Sequence, residues 1–154
     1  MTIKYYWEDF RPGDTAEIGS KTVTREEMLA FSREFDPQPF HVDEAAAAQS
    51  LYGGLIASGW HTCAIAMRIM CDGYLLESAS MGSPGLDNVR WYKPVRPGDT
   101  LRMTRTVVES RPSSSRPEMG LVKVLWEVYN QHGEKAMSME GMQMFRRRDP
   151  GATA

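Results

Sequence analysis

The sequence predicts an α+β domain in which a mainly antiparallel sheet of five strands wraps one long central helix. Three observations carry this. The strand-like segments never alternate with single helices, so the β-α-β grammar of a parallel sheet is absent. The helical segments fall together, after the first strand and before the other four. The last of them, Trp60 to about Leu76, is apolar almost all round, through Cys63, Ala64, Ala66, Met67, Ile69, Met70, Tyr74 and Leu75, which marks a helix in the middle of a fold. A chain of 154 residues with no internal repeat, low-complexity tract or linker fits one domain, residues 1–154. At that size folding buries roughly 70% of the unfolded chain's surface, so the core needs no metal or disulfide staple.

The first strand is Thr15–Val23. Thr24-Arg-Glu-Glu27 then forms a capping box: the Thr hydroxyl takes the backbone N–H three residues on, and Glu27 reaches back to the cap. Met28, Leu29, Phe31, Ser32 and Phe35 give the helix a mostly apolar face. Pro37 drives Asp36 out of helical geometry and ends it. Asp43 caps a second, Ala-rich helix from Glu44 to about Ser50. The stretch from Leu51 to Gly59, with Gly53 and Gly54 adjacent, reads as a loop feeding the long helix. Beyond a Ser/Gly/Pro cluster at 78–85, strands are expected at Asp87–Tyr92, Thr100–Val108, Leu121–Tyr129 and Lys135–Phe145, separated by Pro-Gly, Ser-rich and His-Gly turns. In the last strand Met137 and Met139 share one parity and Met142 and Met144 the other. A bulge near Gly141 would bring all four to one face.

The 18 Lys and Arg against 20 Asp and Glu make nucleic-acid binding a poor fit. No run of about 20 apolar residues occurs to span a membrane, and the acidic, aromatic N-terminus is unlike a signal peptide. Cys63 and Cys71, eight residues apart on one helix, lie about 12 Å apart along its axis, beyond disulfide reach. A cytoplasmic setting with both thiols reduced is expected. Charge is uneven: residues 1–83 carry 6 basic and 12 acidic groups, and residues 84–154 carry 12 and 8. Scattered charges on a solvated sheet account for this, as does an anionic ligand lying against the second half.

Metal, triad and phosphate-loop motifs are absent, and the three histidines are His41, His61 and His132. His132 belongs to a strand connection. In Asp36-Pro-Gln-Pro-Phe-His41-Val-Asp43 two prolines keep the segment out of helix and limit its loop entropy, so Asp36 and His41 can converge on one water as an acid/base pair. The same residues also suit a turn cap and a surface histidine. Gly59 opens the long helix, whose first N–H groups lack intrahelical acceptors and whose positive dipole end suits an oxyanion. Gly53 and Gly54 read more simply as packing glycines.

The run from Phe31 through Asp36, His41 and Asp43, followed by Tyr52-Gly-Gly-Leu-Ile-Ala-Ser-Gly59, resembles the hydratase signature of the MaoC-like dehydratases, which include the (R)-specific enoyl-CoA hydratases. Pro94-Val-Arg-Pro-Gly-Asp99-Thr-Leu also resembles a turn common in hot-dog proteins. The resemblance implies a hot-dog fold and an acyl-CoA hydratase/dehydratase that interconverts 2-enoyl and 3-hydroxyacyl thioesters, of (R) configuration. It implies Asp36 and His41 as the water-holding pair and the Gly59 amide as donor to the thioester oxygen, with acyl-CoA as substrate and no metal or redox cofactor. It also implies a homodimer or higher even oligomer. Two departures bear on the substrate: Gln38 stands where the family usually has Asn, and Ser58 and Trp60 stand where it usually has His and an aliphatic residue around the glycine. Gln38, Ser58 and Trp60 are therefore expected to shape substrate binding. The CoA phosphates give the basic second half a purpose without singling out any one Arg or Lys. A hot-dog thioesterase is the rival enzyme, but its carboxylate is expected beside the long helix, where only Asp72 and Glu77 occur. A non-catalytic acyl-CoA-binding module is the third reading.

Overall fold

A computed structural model describes residues 2–151. Five strands, β1 (Thr15–Thr22), β2 (Leu86–Trp91), β3 (Thr100–Pro112), β4 (Met119–Tyr129) and β5 (Lys135–Arg146), form one antiparallel sheet in the order β1-β3-β4-β5-β2. Four helices precede β2: α1 (Arg25–Phe35), α2 (Pro39–Val42), α3 (Glu44–Gln49) and α4 (Gly59–Gly73). The sheet curls round α4, so Ile65, Ala66, Ile69 and Met70 of the helix share one core with Leu101, Met103, Val124, Trp126 and Met137 of the strands. This is the hot-dog arrangement.

The sheet covers only one side of α4. Trp60 is 64% exposed and Met67 49%, so the apolar character all round serves two different surfaces. The helix ends at Gly73, earlier than expected, where a Cβ would run into the Ile18 carbonyl of β1, and a short helical turn, 75–77, carries the chain on. Tyr74 is buried there with its hydroxyl between Gln143 and the Trp126 indole N–H, and burial pushes its pKa up to about 12.

Thr24 and Glu27 form the expected capping box at α1, and Asp43 caps α3 through the Ala46 N–H. Three further features depart from the sequence reading. The first concerns the segment from Asp36 to Asp43, which is not wholly extended, because Pro39 opens the helical turn α2; proline fits a first helical position, where its missing N–H has no partner to lose. The second concerns β5, which carries no bulge at Gly141: its pairing with β4 runs evenly past that residue and shifts only at Val128/Tyr129. A Cβ at Gly141 would crowd the buried Trp126 ring at 3.1 Å and the Gly85 carbonyl at 3.2 Å, as well as the Leu86 side chain at 2.8 Å. Met137 and Met139 are thus buried while Met142 and Met144 stay on the other face, half-buried. The third is a helical turn at 7–9, unmarked in the sequence reading, whose Trp7 ring occupies the space left by the absent side chain of Gly120.

Candidate active site

Asp36 terminates α1 with its backbone already non-helical, and α2 turns the chain so that His41, 4% exposed, faces back toward it. The His41 ring is held from behind: Nδ1 lies 2.8 Å from the Ile56 carbonyl oxygen. A carbonyl only accepts, so Nδ1 carries a proton and the ring reaches the site through Nε2. Nε2 lies 3.2 Å from Asp36 Oδ2. A proton on either atom makes this contact a hydrogen bond. The loop bearing Ile56 is itself clamped, with Ile56 N–H on the Phe40 carbonyl at 3.3 Å and Ala57 N–H on the Val95 carbonyl at 2.9 Å.

Two more side chains hold the carboxylate. Gln38 Nε2 donates to Asp36 Oδ1 at 2.7 Å, and Ser58 Oγ donates to Oδ2 at 2.7 Å. Burial pushes the Asp36 pKa up, but the hydrogen bonds from Gln38 and Ser58, with the positive charge of His41, outweigh it and hold the carboxyl below its usual range. Ser58 is fully buried, and the same hydroxyl accepts the Trp60 N–H at 3.3 Å as the cap of α4. One serine thus ties the carboxylate to the start of the long helix. The Thr62 N–H goes to the Ser58 carbonyl, and the Gly59 N–H has no acceptor among the described residues, at the helix end that favours negative charge.

These groups meet in a cavity of about 450 Å³ walled by Phe40, Tyr52, Ile56, Trp60, Trp91 and Tyr92, with Asp36, Gln38, His41 and Gly59 on its surface. Of the residues expected to shape substrate binding, Trp60 and Gln38 reach this cavity, although the Gln38 amide is spent on Asp36. Ser58 does not; its hydroxyl is taken up by Asp36 and by the Trp60 N–H, both of which belong to residues that do. Asp72 and Glu77 are paired with Arg68 and Lys4 and do not line it. Among the described residues no cluster of His, Cys, Asp or Glu is placed to hold a metal ion, and no helix is long and apolar enough to cross a membrane.

Trp91 was not legible as a site residue. Its indole N–H donates to the Gly59 carbonyl at 3.1 Å, and its ring lies edge-on to Trp60, centroids 5.8 Å apart. A Cβ at Gly59 would meet that ring at 2.6 Å, so glycine is demanded here by the tryptophan. His61, one turn into the protein, is buried and stacked on Phe31 at 4.7 Å. Burial holds its pKa below the usual 6.5, with Glu27 opposing and Lys21 adding to the fall. An unfolded chain therefore takes up this proton more readily, and stability present above about pH 6.5 is lost as pH falls below it. Thermal melts between pH 7.5 and 5 should show wild type losing more stability than His61→Phe, which keeps the stack; parallel losses would remove His61 from this role.

A hot-dog sheet with a carboxylate, an imidazole and Gly59 at the surface of one cavity defines a protein of the hydratase/dehydratase class, lyases that add or remove water. The chain belongs to the MaoC-like dehydratase family: the model of the MaoC like domain matches residues 10–128. The crystal structure of the MaoC-like dehydratase from Rhodospirillum rubrum is 40% identical and superposes with a TM-score of 0.87 over 95% of this chain and 99% of that one. The uncharacterized protein YdeM of Bacillus subtilis is 31% identical over 133 residues, 86% of this chain and 93% of YdeM. The mesaconyl-CoA hydratase of Haloarcula marismortui is 40% identical over 72 residues, 45% of this chain and 20% of that longer protein.

Proposed function

We propose that the protein is an acyl-CoA hydratase/dehydratase that adds water reversibly to a 2-enoyl-CoA and gives the (R)-3-hydroxyacyl-CoA. The observation that carries this reading is the single hydrogen-bonded unit formed by His41, Asp36, Ser58 and the start of α4, which puts a carboxylate, an imidazole and Gly59 at the surface of one cavity. A water between Asp36 and His41 loses a proton to the pair as its oxygen bonds to C3. The C2–C3 π electrons move toward the thioester carbonyl, whose oxygen takes enolate charge against the Gly59 N–H. A proton from the pair then goes to C2, and the pair ends with the protons it began with. No electron transfer occurs, so the reaction calls for no redox cofactor. The (R) outcome rests on the resemblance to the (R)-specific hydratases. A cytoplasmic setting suits both a CoA thioester and the free thiols of Cys63 and Cys71.

The test is a panel of 2-enoyl-CoA and 3-hydroxyacyl-CoA esters, assayed separately for hydration and for release of free CoA, with chiral analysis of the product. Hydration without CoA release supports the proposal. CoA release alone points to a thioesterase, and tight binding without turnover to a binding module.

The working unit is a homodimer or an even multiple of it. The two sheet edges differ: β1 exposes Thr15, Glu17, Ser20 and Thr22, whereas β2 and the segment after it expose Leu86, Trp91 and Tyr92 alongside Asp87, Asn88 and Arg90, with the Trp91 ring against Trp60 of α4. An edge that carries large exposed apolar side chains and unpaired backbone groups favours pairing with a second copy about a two-fold axis. Light scattering at micromolar concentration should give twice 17.4 kDa or a higher even multiple, and Leu86→Glu should shift it toward the monomer. A fully active monomer would refute the assembly.

A further inference from the structure

The charge asymmetry of the chain leaves open which cation faces the ligand, and the surroundings of the cavity narrow the choice. Lys93 is on its wall, but its ammonium is 3.0 Å from Glu134 Oε2. Arg96 follows Val95, another wall residue, and has no carboxylate within salt-bridge distance among the described residues. The nearby Asp99 is already engaged, its Oδ2 by the Arg96 backbone N–H at 2.9 Å and its Oδ1 by Gln131 at 2.9 Å.

The arginine is also held in place. Its Nη2 donates to the Tyr52 carbonyl at 2.6 Å. The Tyr52 ring lines the cavity and packs on Phe40, which lies edge-on to His41. The guanidinium lies so close to the loop backbone that a Cβ at Gly54 would be 3.3 Å from Nη1. The preceding Gly53 has φ +66°, a left-handed conformation that favours glycine. Gly54, which from sequence read only as packing, thus lies against a cation that follows the cavity wall, with most of its five donors uncommitted.

We propose that Arg96 anchors an anionic group of the thioester substrate, by charge-assisted hydrogen bonds to a phosphate of the CoA or to a carboxylate on the acyl chain. The proposal rests on the thioester reading above and identifies the feature of the substrate that the site reads. A guanidinium already held by a backbone carbonyl loses little freedom when it takes up a second partner, so its donors are ordered before the ligand arrives.

The test compares Arg96→Gln and Arg96→Lys with wild type on three probes: crotonyl-CoA, the uncharged crotonyl N-acetylcysteamine thioester and mesaconyl-CoA. Calorimetric dissociation constants are read alongside KM and kcat, so the outcome does not depend on turnover. A loss of hydration by wild type on every probe would refute the hydratase reading while leaving the binding comparison intact. If the anion is a CoA phosphate, Arg96→Gln weakens both CoA esters about tenfold, leaves the N-acetylcysteamine ester unchanged, and the loss shrinks at high salt. If it is an acyl carboxylate, only mesaconyl-CoA is weakened. Arg96→Lys should recover part of either loss. Equal weakening of all three probes would show that Arg96 merely supports the Tyr52 loop, and unchanged binding of all three would show no role; either result overturns the proposal.

Discussion

Replacing Asp36 by Asn, or His41 by Ala, is expected to lower hydration by about 10²-fold or more with the fold retained. Asn keeps the shape of the carboxylate and still accepts from Ser58, so what it removes is the charge 3.2 Å from His41 Nε2. His41→Ala removes the proton carrier and also strips the Ile56 carbonyl of its donor, so circular dichroism and a thermal melt must accompany the kinetics. The double variant should lose far less than the product of the two single losses, because the residues act as one unit. Ser58→Ala gives an independent reading of the same unit. The hydroxyl helps hold the Asp36 pKa down; without it the pKa rises, and the acid limb of the pH–rate profile should move to higher pH. Near-wild-type turnover in either single variant would end the assignment of the pair.

The sequence carried the fold further than it carried the site. Capping residues, prolines and the switch from helical to strand periodicity are local signals, and Thr24, Asp43 and the strand runs were legible for that reason. The limits of α4 and the absence of a bulge in β5 were not, since both depend on glycines whose reason lies in another element: Gly73 against Ile18, Gly141 against Trp126. That Asp36 and His41 could converge was legible in the two prolines of their loop, which suit a turn cap and a surface histidine as well, and the resemblance singled the pair out. The roles of Ser58 and Gln38 were not, because a side chain that points at the site and one that points at the Asp36 carboxylate occupy the same place in a motif. Trp91 was invisible for a simpler reason: it comes from the edge strand, 32 residues from the glycine it touches.

That tryptophan changes what Gly59→Ala should do. Alanine keeps the N–H, so the substitution does not delete the proposed oxyanion donor. Its methyl is directed at the Trp91 indole, 2.6 Å from Cε2 and 2.9 Å from Cζ2. The ring must swing aside, breaking its hydrogen bond to the Gly59 carbonyl and crowding the cavity it shares with Trp60. Hydration by Gly59→Ala is therefore expected to fall, with kcat reduced about tenfold or more, even though a helix terminus tolerates alanine well. Because the loss runs through the indole, shortening it should relieve the effect: Gly59→Ala combined with Trp91→Val should recover to near the level of Trp91→Val alone. Such coupling between residues in contact is what a double-mutant cycle measures. If the loss persists in the Trp91→Val background, the methyl obstructs the thioester itself. If Gly59→Ala turns over like wild type with its stability unchanged, the glycine is only a packing residue and the oxyanion must find its donor elsewhere.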